Sequence, residues 1–174
     1  MKRSTGLPLK RLSADAMLIG AAMMISYVEA VLPVELVTFL PGVKLGLANL
    51  AVMIAFFVLG IADAATVSFI RVLLCGILFG NGMSMIFSLC GAAFAFVGLI
   101  VYRCLLKKLL SPIGASVLCA ALHNVGQLVA AGFVLSDTAV IAYAPVMLCA
   151  SVVCGAVNGI LLVLIIRALP EVKR

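Results

Sequence analysis

The sequence contains very little charge, and this scarcity is the first constraint on what the chain can be. Of its 174 residues only 10% are Asp, Glu, Lys or Arg, whereas 66% are hydrophobic. A soluble domain needs charged residues at roughly a quarter of its positions. The composition therefore excludes an ordinary soluble protein and predicts an all-α integral membrane protein. A transmembrane helix takes about 20 apolar residues, so the chain has room for about six.

The chain also lacks familiar catalytic and nucleotide-binding motifs. Its three aspartates, Asp15, Asp63 and Asp137, lie far apart, so no Asp-rich cluster can hold Mg²⁺ against a diphosphate. There is no Gly-x-x-x-x-Gly-Lys-Ser/Thr loop for ATP, and the single histidine has no acidic neighbour in sequence. We expect no enzyme activity, no metal and no cofactor. Active transport would draw its energy from a partner or an ion gradient.

Apolar runs bounded by turn or charge signals predict six helices in one transmembrane domain, residues 13–167. We place the helices at 13–32, 45–60, 63–80, 84–103, 113–135 and 138–167. Ser13, Asp63 and Thr138 fit N-cap positions. Residues 1–12 form a basic N-terminal segment, and residues 168–174 form a short tail. No small-residue cleavage site follows the first apolar run, so we expect that helix to be retained.

The basic residues predict the orientation of the spans. The net charge is +6, and in a membrane protein this excess reports topology rather than nucleic acid binding. Three basic clusters, within residues 2–11, 103–108 and 167–174, fall on one side of a six-helix protein. The positive-inside rule makes that side, with both termini, cytoplasmic. Lys44 and the turn at Asn81 then lie at the outer face.

Several polar side chains fall inside predicted spans, where a polar group is costly and normally faces protein or water. At about 1.5 Å per residue, Glu29, Asn49 and Gln127 share one layer in the outer half, with His123 and Arg71 deeper. The same estimate puts Glu29 about 12 Å above Arg71, which argues against a direct pair.

The fifth predicted helix carries the clearest polar face. His123 and Gln127 are four residues apart and share that face, with Asn124 on its flank. We expect a water-accessible cavity open to the outside, with Arg71 at its floor meeting an anionic or carbonyl-bearing ligand group. The alternative is that these groups join helices through hydrogen bonds, with Arg71 bonded to backbone carbonyls.

Three segments carry a resemblance to a known family: LPGVKLGLANL at 40–50, RVLLCGILFGN at 71–81 and LHNVGQLVAA at 122–131. In this order they make the chain resemble the Gx transporter family, whose older name is heptaprenyl diphosphate synthase component I, over roughly residues 14–162. That family is similar to the S components of energy-coupling factor (ECF) transporters. The resemblance implies a six-helix bundle in a bacterial plasma membrane. An outward-facing pocket would be covered by the connection between the first two helices.

The resemblance further implies a subunit that binds a small organic ligand and works with an ECF scaffold protein and two ATPases. The scaffold would contact small residues of the first helix, where Ala16 and Gly20 form a small-x-x-x-small pair that serves either this contact or internal packing. An auxiliary membrane subunit in polyprenyl diphosphate or quinone synthesis stays open as an alternative, as does a self-sufficient channel. The ligand-binding set that we expect is Glu29, Lys44, Asn49, Arg71, Asn81, His123, Asn124 and Gln127.

The topology can be tested with single cysteines and a membrane-impermeant reagent on intact cells. Because positive loops stay inside, cysteines within residues 105–110 should be protected and a cysteine at Asn81 should be labelled. Labelling of the 105–110 segment from outside would contradict the predicted orientation.

Overall fold

The computed structural model of the chain describes residues 6–31, 46–136 and 138–168. A π-helical turn at Tyr102–Leu106 continues the fourth helix, and a 3-10 segment at Thr138–Tyr143 leads into the sixth. Within these described residues, the prediction of an all-α bundle with six helices is confirmed. The helices are α1 (Gly6–Val31), α2 (Asn49–Val58), α3 (Ile61–Leu78), α4 (Gly82–Val101), α5 (Pro112–Leu135) and α6 (Ala144–Ala168).

Of the six helices in the described part of the chain, five are long and apolar enough to cross a membrane, and the chain is therefore a multi-pass membrane protein. The exception is α2, whose 10 residues rise about 15 Å, half of a hydrocarbon core about 30 Å thick. The predicted helix over 45–60 was too long. Gly46 has a φ of 82°, outside the helical range, and α2 begins only after the turn that follows it.

The start of α1 also differs from the prediction. Residues 6–12, assigned to a separate basic segment, are helical and continuous with the rest of α1. Ser13 is therefore not an N-cap, and its hydroxyl donates to the Leu9 carbonyl one turn earlier at 2.9 Å. The helix continues through this residue, so the serine marks no boundary.

Two further predicted caps were wrong. α3 follows Gly60, whose φ of 129° favours glycine, and Asp63 lies in the first turn instead of at the cap. The helix predicted to start at Thr138 begins at Ala144, because residues 138–143 take the tighter 3-10 form. By contrast, Ser111 caps α5, with its Oγ accepting from the Gly114 N–H at 3.3 Å.

Glycines allow α4, α5 and α6 to pack backbone to backbone. A Cβ on Gly126 of α5 would lie 2.6 Å from the carbonyl oxygen of Cys90 on α4. A Cβ on Gly155 of α6 would lie 2.6 Å from the Cα of Val117 on α5. Such close approach is how membrane helices gain van der Waals contact without a hydrophobic driving force between them. These three helices therefore form a closely packed side of the bundle.

A separate apolar core lies where α2 meets its neighbours. Met53 of α2, Val67 of α3, Leu99 of α4 and Leu162 of α6 are all buried there. The ring of Tyr102 closes this core from the π-helical turn, 5.7 Å from that of Phe57 between centroids. α1 packs on α2 and α3, and much of its surface stays exposed.

The glycine contacts predict a large difference between two Gly→Ala substitutions on the same helix. Gly126→Ala forces α4 and α5 apart and should destabilise the protein by about 1–3 kcal/mol, the usual cost of overpacking. Gly132→Ala is the matched control, because its Cβ would meet nothing within 4 Å. Thermal unfolding in detergent, followed by circular dichroism, should separate the two. Equal melting temperatures would contradict the close α4–α5 contact.

Candidate functional site

A short turn at residues 46–48 lies at the centre of the buried polar groups. The Leu47 N–H donates to Oε1 of Glu29 on α1 at 2.8 Å. On the other side, Nδ2 of Asn158 on α6 donates to the Gly46 carbonyl at 3.3 Å. Two backbone groups of this turn are therefore bonded by side chains of helices distant in sequence. The Gly46 carbonyl also accepts from the Asn49 N–H at 3.0 Å.

Gly46 also separates two side chains of the site. A Cβ on Gly46 would lie 3.0 Å from Nδ2 of Asn49 and 3.4 Å from Cδ2 of His123. The start of α2 and the middle of α5 thus face one another across this glycine. We call the surrounding buried side chains the polar cluster: Glu29, Asn49, Arg71, His123, Asn124, Gln127 and Asn158.

Arg71 enters the polar cluster from α3. Its Nη2 donates to Oδ1 of Asn49 at 3.1 Å, and both residues are more than nine-tenths buried. The carboxylate of Glu29 adds an electrostatic attraction to the guanidinium. The height estimate from the sequence argued only against direct contact between the two residues, and this electrostatic attraction leaves that prediction untested.

His123 and Gln127 share one face of α5, as predicted, and both are buried. Nε2 of Gln127 lies 3.1 Å from Nε2 of His123. Both side chains lie against Gly91 of α4, where an added Cβ would come within 2.8 Å of His123 and 2.9 Å of Gln127. The absence of a side chain at Gly91 leaves the room that these two polar residues occupy.

Asn124 joins α5 to α6. Its Nδ2 donates to the Met147 carbonyl at 3.0 Å and to Oγ of Ser151 at 2.7 Å, and the Ser151 hydroxyl donates to the same carbonyl. This is the interhelical hydrogen bonding that the sequence left open as an alternative. It accounts for one end of the amide.

Four buried atoms of the polar cluster have no hydrogen-bond partner among the described residues. They are Nδ2 of Asn49, Nε of Arg71, Oδ1 of Asn124 and Oε1 of Gln127. A buried polar atom without a partner costs about 1–3 kcal/mol. The cluster thus has hydrogen-bonding capacity beyond what its own contacts use, with donors on the α2–α3 side and acceptors on α5.

One predicted ligand residue, Asn81, lies apart from these contacts. Asn81 is exposed and caps α4, with Oδ1 accepting from the Ser84 N–H at 2.7 Å. Its described role is local, and its part in ligand binding stays a prediction. Lys44 lies outside the described residues. Within the described ranges, no group of three His, Cys, Asp or Glu side chains could hold a metal ion.

Sequence reasoning did not place Asn158 in the ligand-binding set. The available signal was its spacing of seven from Ser151, which puts both on one face of α6. Ala16 and Gly20 lie on the exposed side of α1, and a Cβ on Gly20 would meet nothing within 4 Å. Within the described chain, internal packing does not use this pair.

A family model described as heptaprenyl diphosphate synthase component I matches residues 18–165 of the chain. This match confirms the resemblance found in the sequence, which named the same family by its older description. No curated protein and no solved structure matches the chain.

The central position of Gly46 predicts that the site is sensitive to a single methyl group. Gly46→Ala should cost about 1–2 kcal/mol, because an L-residue is strained at positive φ and its Cβ would press on Asn49. Gly82→Ala is the control, since its Cβ would meet nothing within 4 Å. The readout is the melting temperature of each purified variant. A Gly46→Ala protein as stable as Gly82→Ala would contradict the described turn.

Proposed function

The chain belongs to the heptaprenyl diphosphate synthase component I family, and we propose that it is the membrane-embedded substrate-binding subunit of a transporter. It takes up a small polar organic ligand from the outer face of a bacterial plasma membrane. The observation that carries this proposal is the polar cluster, in which buried donors and acceptors from several helices converge with unused hydrogen-bonding capacity.

The cost of the polar cluster supports binding over a purely structural role. Polar and charged side chains within a membrane are expensive, and their usual uses are ligand or ion sites. Side chains that only join helices would be expected to satisfy their own atoms, as a fully bonded network is stable and a partly bonded one is not. A bound molecule that uses the spare atoms of Asn49, Arg71, Asn124 and Gln127 removes this penalty.

The residues have distinct roles in this proposal. Arg71 presents a guanidinium from the floor, held in place by Asn49 and attracted by Glu29. Its planar set of donors suits a carboxylate, phosphate or carbonyl group. His123, Asn124 and Gln127 form the opposite wall on α5. The predicted cavity would lie between these walls.

Energy for uptake would come from a partner. The sequence carries no loop for ATP, and we propose an ECF-type scaffold with ATPases that docks on α1. The exposed Ala16 and Gly20 would let a partner helix approach closely, and the adjacent Met17 is 76% exposed. This contact would leave the polar cluster on the other side of α1 free for ligand.

The second candidate is a non-catalytic membrane subunit that assists polyprenyl diphosphate synthesis. The family description favours it, as does an apolar groove of about 450 Å³ between α5, the 3-10 segment and α6. Val129, Gly132, Phe133 and Ile141 line this groove, which would suit an isoprenoid chain. Copurification separates the candidates. A scaffold with ATPases supports transport, whereas a soluble prenyl synthase component supports the second role.

The direct test is mass spectrometry of small molecules that copurify with the gently solubilised protein. Arg71→Gln should retain at least about tenfold less of the bound compound, since charge-assisted bonds contribute about 1.5–3 kcal/mol and 1.4 kcal/mol is tenfold. Arg71→Lys should restore binding only in part, because the two-pronged geometry is lost. Arg103→Gln, on the exposed π-helical turn, is the matched control.

Equal amounts of one compound on well-folded Arg71→Gln and Arg103→Gln would place the ligand elsewhere. No bound compound on the wild-type chain would contradict the transport proposal.

A further inference from the structure

We infer that the ligand carries a hydrogen-bond acceptor at one end of a compact polar head and a donor at the other, as a zwitterionic amino acid does. This inference rests on the proposed function and adds the chemical class of the substrate. It follows from which atoms of two asparagines are used and which remain.

On the α2–α3 wall, the side-chain atoms without a described hydrogen-bond partner are all donors. A guanidinium has no acceptor, so Asn49 must present its oxygen to Arg71, and its Nδ2 is the atom left over. Nε of Arg71 is also buried and unused within the described chain. This wall therefore requires an acceptor, such as a carboxylate or carbonyl oxygen, from its ligand.

The α5 wall has the opposite requirement. The Met147 carbonyl can only accept, so Asn124 must direct its Nδ2 towards α6, and its Oδ1 is the atom left over. The residue is 2% exposed, which excludes bulk water as the partner. Gln127, which is 0% exposed, also has one end of its amide without a described partner. This wall therefore requires a donor, such as an ammonium or amide N–H.

The two walls meet beside Gly46. A Cβ on Gly46 would lie 3.0 Å from Nδ2 of Asn49 and 3.4 Å from the ring of His123, and that ring contacts Gln127. The described charges in the polar cluster, Glu29 and Arg71, are of opposite sign. An ion of one sign would bring an uncompensated charge into a poorly solvated site, whereas a zwitterion would not. A single small molecule with both functions meets both walls at once.

The test uses amino acids as probes, each compared with the carboxylate and the amine of the same carbon chain. Binding to the full chain in detergent is measured by isothermal titration, and the copurified compound is identified by mass spectrometry. At least one amino acid should bind about tenfold or more tighter than both of its single-function analogues, the effect of losing one buried hydrogen-bonded partner.

Two variants assign the ends of the ligand. Asn49→Asp keeps the oxygen that Arg71 needs and removes one of the two spare donors of this wall, so the advantage of the amino acid over the matching amine should shrink. Asn124→Leu removes the spare acceptor, so the amino acid should lose its advantage over the matching carboxylate. Thr66→Val, at an exposed hydroxyl that bonds its own helix at Ala62, should preserve both preferences.

Each outcome decides the inference. A carboxylate or an amine that binds as tightly as the matched amino acid overturns it and leaves the transport proposal standing. If no probe binds, the copurified compound decides, and a compound without a donor or without an acceptor overturns the inference. A chain that binds no probe and carries no compound overturns both.

Discussion

The fold depends on how the start of α2 is satisfied inside a membrane. In hydrocarbon every backbone polar group needs a partner within the protein, and a helix that begins part-way through a bundle exposes several. Here the Leu47 N–H donates to the Glu29 carboxylate of α1, and the Gly46 carbonyl accepts from the Asn158 amide of α6. Glycine at position 46 readily adopts the positive φ of this turn, in which the Leu47 N–H and the Gly46 carbonyl point towards different helices. The short α2 is thereby fixed between helices from both ends of the chain.

This arrangement gives the two sides of the bundle different physical roles. Glycines bring α4, α5 and α6 into backbone contact, so the wall that carries His123, Asn124 and Gln127 is rigid. α1 packs on α2 and α3 with much of its surface exposed, and it carries the small-residue pair Ala16 and Gly20 outward. Under the proposed function, α5 would supply one wall of the binding site and the exposed face of α1 would be available to a membrane partner.

The sequence alone was enough to predict a membrane protein and the number of helices that the described residues form. It also predicted the main members of the polar cluster, because polar residues at membrane depth are rare. Spacing alone brought His123 and Gln127 to one face. It could not fix where α1 begins, since Ser13 resembles a cap but bonds within a longer helix. It also could not pair Arg71 with Asn49, because that contact depends on side-chain reach between α3 and α2. The sequence also could not show that Asn158 bonds the Gly46 carbonyl, because that contact joins residues far apart in the chain.

The central claim is that the polar cluster of this membrane protein is a binding site with capacity reserved for a small polar molecule. An experimental structure of the protein purified with its native contents tests it most directly. The account predicts density larger than a water molecule that contacts both Nδ2 of Asn49 and Oδ1 of Asn124. It would be contradicted by a structure in which these two atoms bond only to other protein atoms or to single ordered waters.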